Sequence, residues 1–238
     1  MIFTDMHAFK TLIKLVLVLA AGFLITACGS DGSNSTVEVV KPKKKTVVMV
    51  FGDSTSQGYG IEMLGTYYEN VSPGTIWVDL LRNRLQSENV GEFASVSVIN
   101  ASLGSEFTSQ AIDRLPTLLA VFKPTHVILA HGTNDAGSGF PNSYISGNFS
   151  TMISMVKNSG AKPLLADVTF TRYGTDYANA YSQMVFNTAL VTGATYIPIL
   201  NGIQGNPAYY LSDGFHQNEA AQPIMMNNVW NKLIPLFE

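Results

Sequence analysis

From residue 46 onward, short apolar runs rich in β-branched residues alternate with longer segments in which apolar positions recur every three or four residues. The short runs are 46–51, 96–100, 126–130, 163–166 and 195–199. They read as strands buried on both faces. The longer segments predict helices over 75–86, 109–122, 150–158 and 177–192, and a last one over 219–236. In the first of these, Ile76, Val78, Leu80, Leu81 and Leu85 form an apolar face, and Arg82, Arg84 and Gln86 are expected toward water. Strand–helix alternation demands right-handed crossovers, and therefore a mainly parallel sheet covered on both sides. The expected fold is α/β: a flavodoxin-like five-stranded parallel sheet in a three-layer α/β/α sandwich. In such sheets the reactive crevice lies at the carboxyl ends of the strands, so the loops there are where chemistry is expected.

The pattern is different before residue 46. Lys10 and Lys14 precede an apolar run, Leu15 to Ala27, too short for the roughly 20 residues of a spanning helix. It reads as an export signal. It ends Leu24-Ile25-Thr26-Ala27-Cys28, which resembles the lipobox of bacterial lipoproteins. That resemblance implies cleavage before Cys28, acylation of its sulfur, and, with Gly29 rather than Asp following, sorting to an outer membrane. Residues 29–45 are Gly-, Ser- and Asn-rich and then basic at Lys41, Lys43, Lys44 and Lys45, with no apolar period. This is the composition of a flexible tether with an end-to-end distance of roughly 20–25 Å. The expected organisation is therefore a signal at 1–27, a lipidated cysteine and tether at 28–45, and one catalytic-sized domain at 46–238.

Composition narrows the function classes. The 238 residues suit one domain. The formal net charge of −3 argues against a nucleic-acid partner. Cys28 is the only cysteine, so no intramolecular disulfide forms in an exported chain, and a lone cysteine suits lipidation. After the signal only His126, His131 and His216 remain, without a repeated ligand spacing, so no metal and no cofactor is expected.

Four loops carry candidate chemistry. The first strand runs into Gly52-Asp53-Ser54, delivering a serine at the carboxyl rim where a helix would begin. By itself it is equally well a nucleophile or a helix N-cap. Ser56 stands where the G-x-S-x-G nucleophile elbow has its second glycine, so the α/β-hydrolase pattern fits badly. The loop Ala101-Ser102-Leu103-Gly104-Ser105 follows the second strand, and Gly104 lets backbone N–H groups face the crevice. After the third strand comes His131-Gly132-Thr133-Asn134-Asp135, whose Asn134 is either an amide donor at the same rim or a turn residue. Near the carboxyl terminus, Asp213 precedes His216 by three residues. A serine hydroxyl needs a base near neutral pH, histidine has the suitable pKa, and an aspartate beside it can hold the imidazole in one tautomer.

Taken in order, Gly52-Asp53-Ser54, Gly104, Gly132-Thr133-Asn134-Asp135 and Asp213-x-x-His216 resemble the four signatures of the SGNH, or GDSL-type, hydrolases. The resemblance covers nearly all of 46–238. The segment Asp213 to Pro223 is most similar to the bacterial arylesterase, thioesterase and lysophospholipase branch. It implies Ser54 as nucleophile, His216 as base, Asp213 as its partner, and an oxyanion hole made by the N–H of Ser54, the N–H of Gly104 and the Asn134 side chain. The sequence departs from the family at Thr55, at His131 and Thr133, and at Gln217. Thr55 and the histidine also occur among carbohydrate acetylesterases of the family.

The expected activity is hydrolysis of small acyl or aryl esters, thioesters or lysophospholipids through an acyl-serine intermediate. Two alternatives stand beside it: an O-acetylesterase acting on polysaccharide, and a non-catalytic surface protein binding glycan or protein. Asp53, Thr55, His131, Phe140 and Tyr144 are candidate substrate contacts. Phe140 and Tyr144 fall in a Gly/Ser/Asn-rich stretch, 136–148, that suggests a mobile aromatic lip. The expected partners are a small ester and, through the lipid, a membrane; the expected state is a monomer.

Overall fold

A computed structural model describes residues 45–58, 74–88, 96–169 and 174–237. The signal, Cys28 and most of the tether lie outside the described residues.

The five apolar runs are strands of one parallel sheet: β1 (Thr46–Gly52), β2 (Val96–Asn100), β3 (His126–Ala130), β4 (Lys162–Ala166) and β5 (Thr195–Ile197). Their order is β2-β1-β3-β4-β5, and every pairing is parallel. This is the flavodoxin-like α/β arrangement, with the strand order reversing at β1. The strand β5 stops two residues before the expected end because Pro198 has no N–H to continue the ladder.

Successive β1 residues feed two separate cores. Val48 and Val50 point into one, with Trp77, Leu81, Leu85, Met225, Val229 and Leu233. Met49 and Phe51 point into the other, with Ala111, Leu115, Ile145, Phe149, Met152, Tyr181 and Val185. The first core is closed by α2 (Trp77–Ser87) and α7 (Gln222–Leu233). The second is closed by α3 (Thr108–Phe122), α5 (Asn142–Asn158) and α6 (Thr175–Thr192). A strand buried on both sides has no polar face to show, which is why the inner strands β1 and β3 are apolar with little alternation, while the edge strands β2 and β5 are half-buried and carry polar residues.

Helix ends depart from expectation where distant residues supply the cap. The helix α2 starts at Trp77, whose N–H donates to Gln222 Oε1 at 3.0 Å from the far end of the chain. Arg82, expected toward water, is buried: its Nε donates to the Val98 carbonyl at 3.3 Å and its Nη1 pairs with Asp79. The helix α5 begins at Asn142, eight residues earlier than predicted. Its low-propensity residues, Ser143, Ser146, Gly147 and Asn148, hide an apolar stripe at Ile145, Phe149, Met152 and Val156 that packs on α3 and α6. Tertiary burial overrides propensity there. The expected mobile lip over 136–148 is therefore mostly helix, the end of the short α4 (Thr133–Gly137) and the start of α5.

Candidate active site

The site forms where β1, β2 and β3 end. The strand β1 runs through Gly52 and Asp53 into the one-turn helix α1 (Ser54–Gln57). Asp53 caps this turn: its Oδ1 accepts from the Thr55 N–H at 3.1 Å, while its Oδ2 accepts from the Thr133 hydroxyl. The β1 loop is thereby tied to the β3 loop. Ser54, the last residue of the first motif, sits 162 residues from His216 in sequence, yet its Oγ lies 2.9 Å from His216 Nε2. His216 Nδ1 lies 2.8 Å from Asp213 Oδ2. Asp213 Oδ1 also accepts from the backbone N–H groups of Phe215 (2.8 Å) and His216 (3.0 Å). Burial pushes the Asp213 carboxyl up, but the hydrogen bonds from the His216 ring and these two N–H groups outweigh it and hold it below its usual value. An ionised Asp213 only accepts, so Nδ1 carries the proton and Nε2 presents its lone pair to the serine hydroxyl.

One of the three candidate oxyanion donors, Gly104, lies beside Ser54. A carbon added to Gly104 would lie 3.8 Å from Ser54 Cβ, an ordinary contact, so the Gly104 backbone passes beside the serine. Its N–H donates to Gln57 Oε1 at 2.6 Å. Asn134, in the first turn of α4, donates one amide hydrogen to the Glu106 carbonyl at 3.0 Å. An amide nitrogen carries two hydrogens, so the second remains for a reacting oxygen.

Behind these donors lies a buried polar network that the motifs did not reveal. Glu106 binds Arg114 through both oxygens, at 2.6 and 2.5 Å, and His131 Nε2 lies 2.8 Å from its Oε2. Arg114 Nη1 also reaches the Ala101 carbonyl at 2.8 Å, and its guanidinium stacks over Phe51. Burial pushes the Glu106 carboxyl up, and the bonds from Arg114 and His131 overcome that and leave it low. Asp135 accepts from both the N–H and the hydroxyl of Thr108, at 2.9 and 2.6 Å, which seats the start of α3 on the β3 loop. Arg114 had one sequence signal: it stands beside Ala111, Leu115 and Leu118 on the core-facing side of α3, where a cation needs a buried partner.

Two candidate substrate contacts are corrected by these positions. Asp53 and His131 are both fully buried, Asp53 as the cap of α1 and His131 between Glu106 and the Phe51 ring at 4.7 Å. They brace the reacting groups from behind and offer no surface to a ligand. Burial also pushes the Asp53 carboxyl up, partly opposed by His131, Thr133 and Thr55. Thr55 is half-buried in α1. Phe140 and Tyr144 are partly exposed, stacked at 5.1 Å, and Phe107 meets Phe140 edge-on at 5.9 Å. These three rings lie just downstream of Gly104 and Asn134.

A serine, an imidazole and a carboxylate hydrogen-bonded in series at the rim of a parallel sheet, with the Gly104 backbone beside the serine, define a serine-type hydrolase site. The GDSL-like Lipase/Acylhydrolase family matches residues 50–223, and the chain belongs to it. Among curated relatives, Esterase TesA of Pseudomonas aeruginosa is 32% identical over 208 residues, 87% of this chain and 96% of that protein. An Arylesterase of Vibrio mimicus is 29% identical, covering 79% of this chain and 88% of its own length. The Thioesterase 1/protease 1/lysophospholipase L1 of Escherichia coli is 28% identical, covering 79% and 84%. The crystal structure of TesA superposes with a TM-score of 0.70 at 31% identity, over 80% of this chain and 99% of that one.

Proposed function

We propose that Ser54, His216 and Asp213 cleave small acyl and aryl esters, thioesters or lysophospholipids through an acyl-Ser54 intermediate. The observation that carries the assignment of roles is the unbroken line from Ser54 Oγ to His216 Nε2 and from His216 Nδ1 to Asp213. His216 takes the serine proton as Oγ attacks the carbonyl carbon. The carbonyl oxygen becomes an oxyanion facing the N–H groups of Ser54 and Gly104 and the free amide hydrogen of Asn134, donors already oriented by Gln57 and Glu106. The proton on His216 passes to the leaving alcohol or thiol, and the same imidazole then activates water to release the acid. The relatives' names support acyl, aryl and thioester substrates, and the half-exposed Phe107, Phe140 and Tyr144 rings supply an apolar surface for such groups.

A fluorophosphonate probe tests the roles directly. Labelling at Ser54, absent in Ser54→Ala and in heat-unfolded protein, is the expected result. A folded protein that stays unlabelled, or is labelled elsewhere, defeats the mechanism. A panel of chromogenic esters graded by acyl length, run beside acetylated glycans, then separates acyl/aryl ester hydrolysis from polysaccharide deacetylation.

The same proposal places the domain on a membrane through acylated Cys28, supported by Leu24-Ile25-Thr26-Ala27 before it and by the polar, basic stretch after it. Each buried methylene of an acyl chain adds about 0.8 kcal/mol of membrane binding, so several chains would hold the domain firmly. Cys28→Ser is expected to move the protein from the membrane fraction to the soluble one. Unchanged fractionation, with an unmodified Cys28 by mass spectrometry, would reject the anchor.

A further inference from the structure

Gln57 moves no proton in the mechanism, yet its side-chain oxygen holds a donor that the mechanism needs. It stands three residues after Ser54 on the single turn of α1, the spacing that puts two side chains on the same face of a helix. From there its Oε1 accepts the Gly104 N–H at 2.6 Å. A carbon placed on Gly104 would lie 2.5 Å from that oxygen and 3.8 Å from Ser54 Cβ, so the oxygen and the nucleophile's carbon both lie against Gly104. A single N–H cannot serve two acceptors at full strength. An ester carbonyl taking up the Gly104 donor must therefore displace an amide carbonyl already there.

We infer that Gln57 is a built-in occupant of the oxyanion seat, which the substrate oxygen must evict from Gly104 before the transition state is fully stabilised. The inference rests on the proposed reading of Ser54 and Gly104. An amide oxygen is a better acceptor than an ester oxygen and a poorer one than an oxyanion. The exchange at Gly104 is therefore unfavourable for the bound ester and favourable once charge develops. Gln57 keeps the Gly104 N–H paired and oriented in the free enzyme, and lowers kcat/KM by the strength of one neutral hydrogen bond.

The test compares the wild type with Gln57→Ala and with Gln57→Met, which keeps the length of the side chain without its oxygen. With para-nitrophenyl acetate, kcat/KM is expected to rise roughly five-fold in both variants, the equivalent of one net hydrogen bond. Affinity for phenylboronic acid is expected to rise by a similar factor. In that adduct Ser54 Oγ bonds to boron, the serine proton goes to His216, and a boron-bound oxygen takes the seat. Gln57→Glu puts a charged acceptor on Gly104 and is expected to lower kcat/KM by more than ten-fold. The Gly104 amide proton resonance, read by NMR without substrate, is expected to move upfield in Gln57→Ala. An unchanged or lower kcat/KM in both neutral variants overturns the inference, because a merely structural residue loses activity when removed and does not gain it. An unmoved Gly104 resonance overturns it as well. A wild type that neither turns over ester nor binds boronate, with the Gly104 resonance still shifting, would fault the nucleophile assignment and leave the contact standing.

Discussion

At the scale of single residues, Asp213 and Asn134 do different kinds of work. Asp213 is 38% exposed at its side chain, so its Coulomb interaction with His216 is screened by water and its main contribution is to select the tautomer. Asp213→Asn would offer an amide hydrogen to Nδ1, leaving Nε2 protonated and unable to accept from Ser54. We expect kcat to fall at least ~10²-fold in steady-state assays, with fluorophosphonate labelling slowed to match. The folded-state pKa of Asp213 lies below its unfolded value, so its charge and the order it imposes persist across neutral pH. They are lost only as the pH falls through that folded value, below the ordinary ~3.9 of an aspartate. A loss of activity between pH 7 and 5 is therefore not attributable to Asp213. Asn134→Ala removes one of the proposed donors to the oxyanion, and kcat is expected to drop about 10²–10³-fold with KM little changed. Comparable losses in KM alone would mean that Asn134 binds the ground state.

At the scale of elements, the site depends on how tightly the loop after β3 is seated. Gly132 has φ +106°, and a carbon added there would overlap Tyr181 Oη and lie 3.0 Å from Phe149 Cζ. Tyr181 comes from α6 and Phe149 from α5, so the loop carrying Asn134 is pinned by two helices that precede the last site element in the chain. Gly132→Ala is expected to destabilise the domain by roughly 2–4 kcal/mol in urea titration, combining backbone strain and overpacking. Gly139→Ala separates the two effects. Gly139 also has positive φ, +78°, but nothing lies within 4 Å of an added carbon. It should cost only about 1 kcal/mol. Equal losses in the two variants would mean that packing against Tyr181 and Phe149 is not what holds the loop.

At the scale of the whole molecule, the reactive rim and the amino-terminal end of the parallel strands are separated by the length of the sheet. His126 begins β3 at that opposite end, buried against the Phe237 ring at 5.2 Å with Nδ1 2.9 Å from Thr125 Oγ1. Burial depresses its pKa, the Leu236 backbone partly offsets this, and the Lys162 ammonium depresses it further. The unfolded chain thus takes up a proton at His126 before the folded one does. Stability from this residue is intact above the ordinary ~6.5 and is lost as pH falls from there through the folded value. The urea midpoint should drop between pH 7 and pH 5, and His126→Phe, which keeps a ring against Phe237, should flatten that drop. An equal slope in the variant would assign the acid sensitivity to other groups.

Apolar content and its spacing were enough to determine the five strands, the alternation of layers and the parallel sheet, because burying a strand on both faces leaves no other composition open to it. The order of Gly52-Asp53-Ser54, Gly104, Asn134 and Asp213-x-x-His216 was likewise legible, since each motif falls in a loop at a strand's carboxyl end or, for the last, in a turn whose own backbone holds Asp213 against His216. The rest needed three dimensions. Arg82 reads locally as a surface cation and is buried by Asp79 and Val98, while Arg114 is half-buried against Glu106 and Ala101, partners that folding brings to it. His131 and Asp53, which sit at the rim in sequence, turn inward, where Glu106 pairs with the His131 Nε2 and Thr133 with the Asp53 carboxylate. The start of α5 was hidden by residues with weak helix propensity and is set by packing on α3 and α6. Gln57 shows the division most clearly: its spacing from Ser54 is visible in the chain, but its place on Gly104 arises only when β1 and β2 lie side by side and deliver their loops to one point. Local pattern specifies what each segment can bury, while which donor meets which acceptor is decided by segments far apart in sequence.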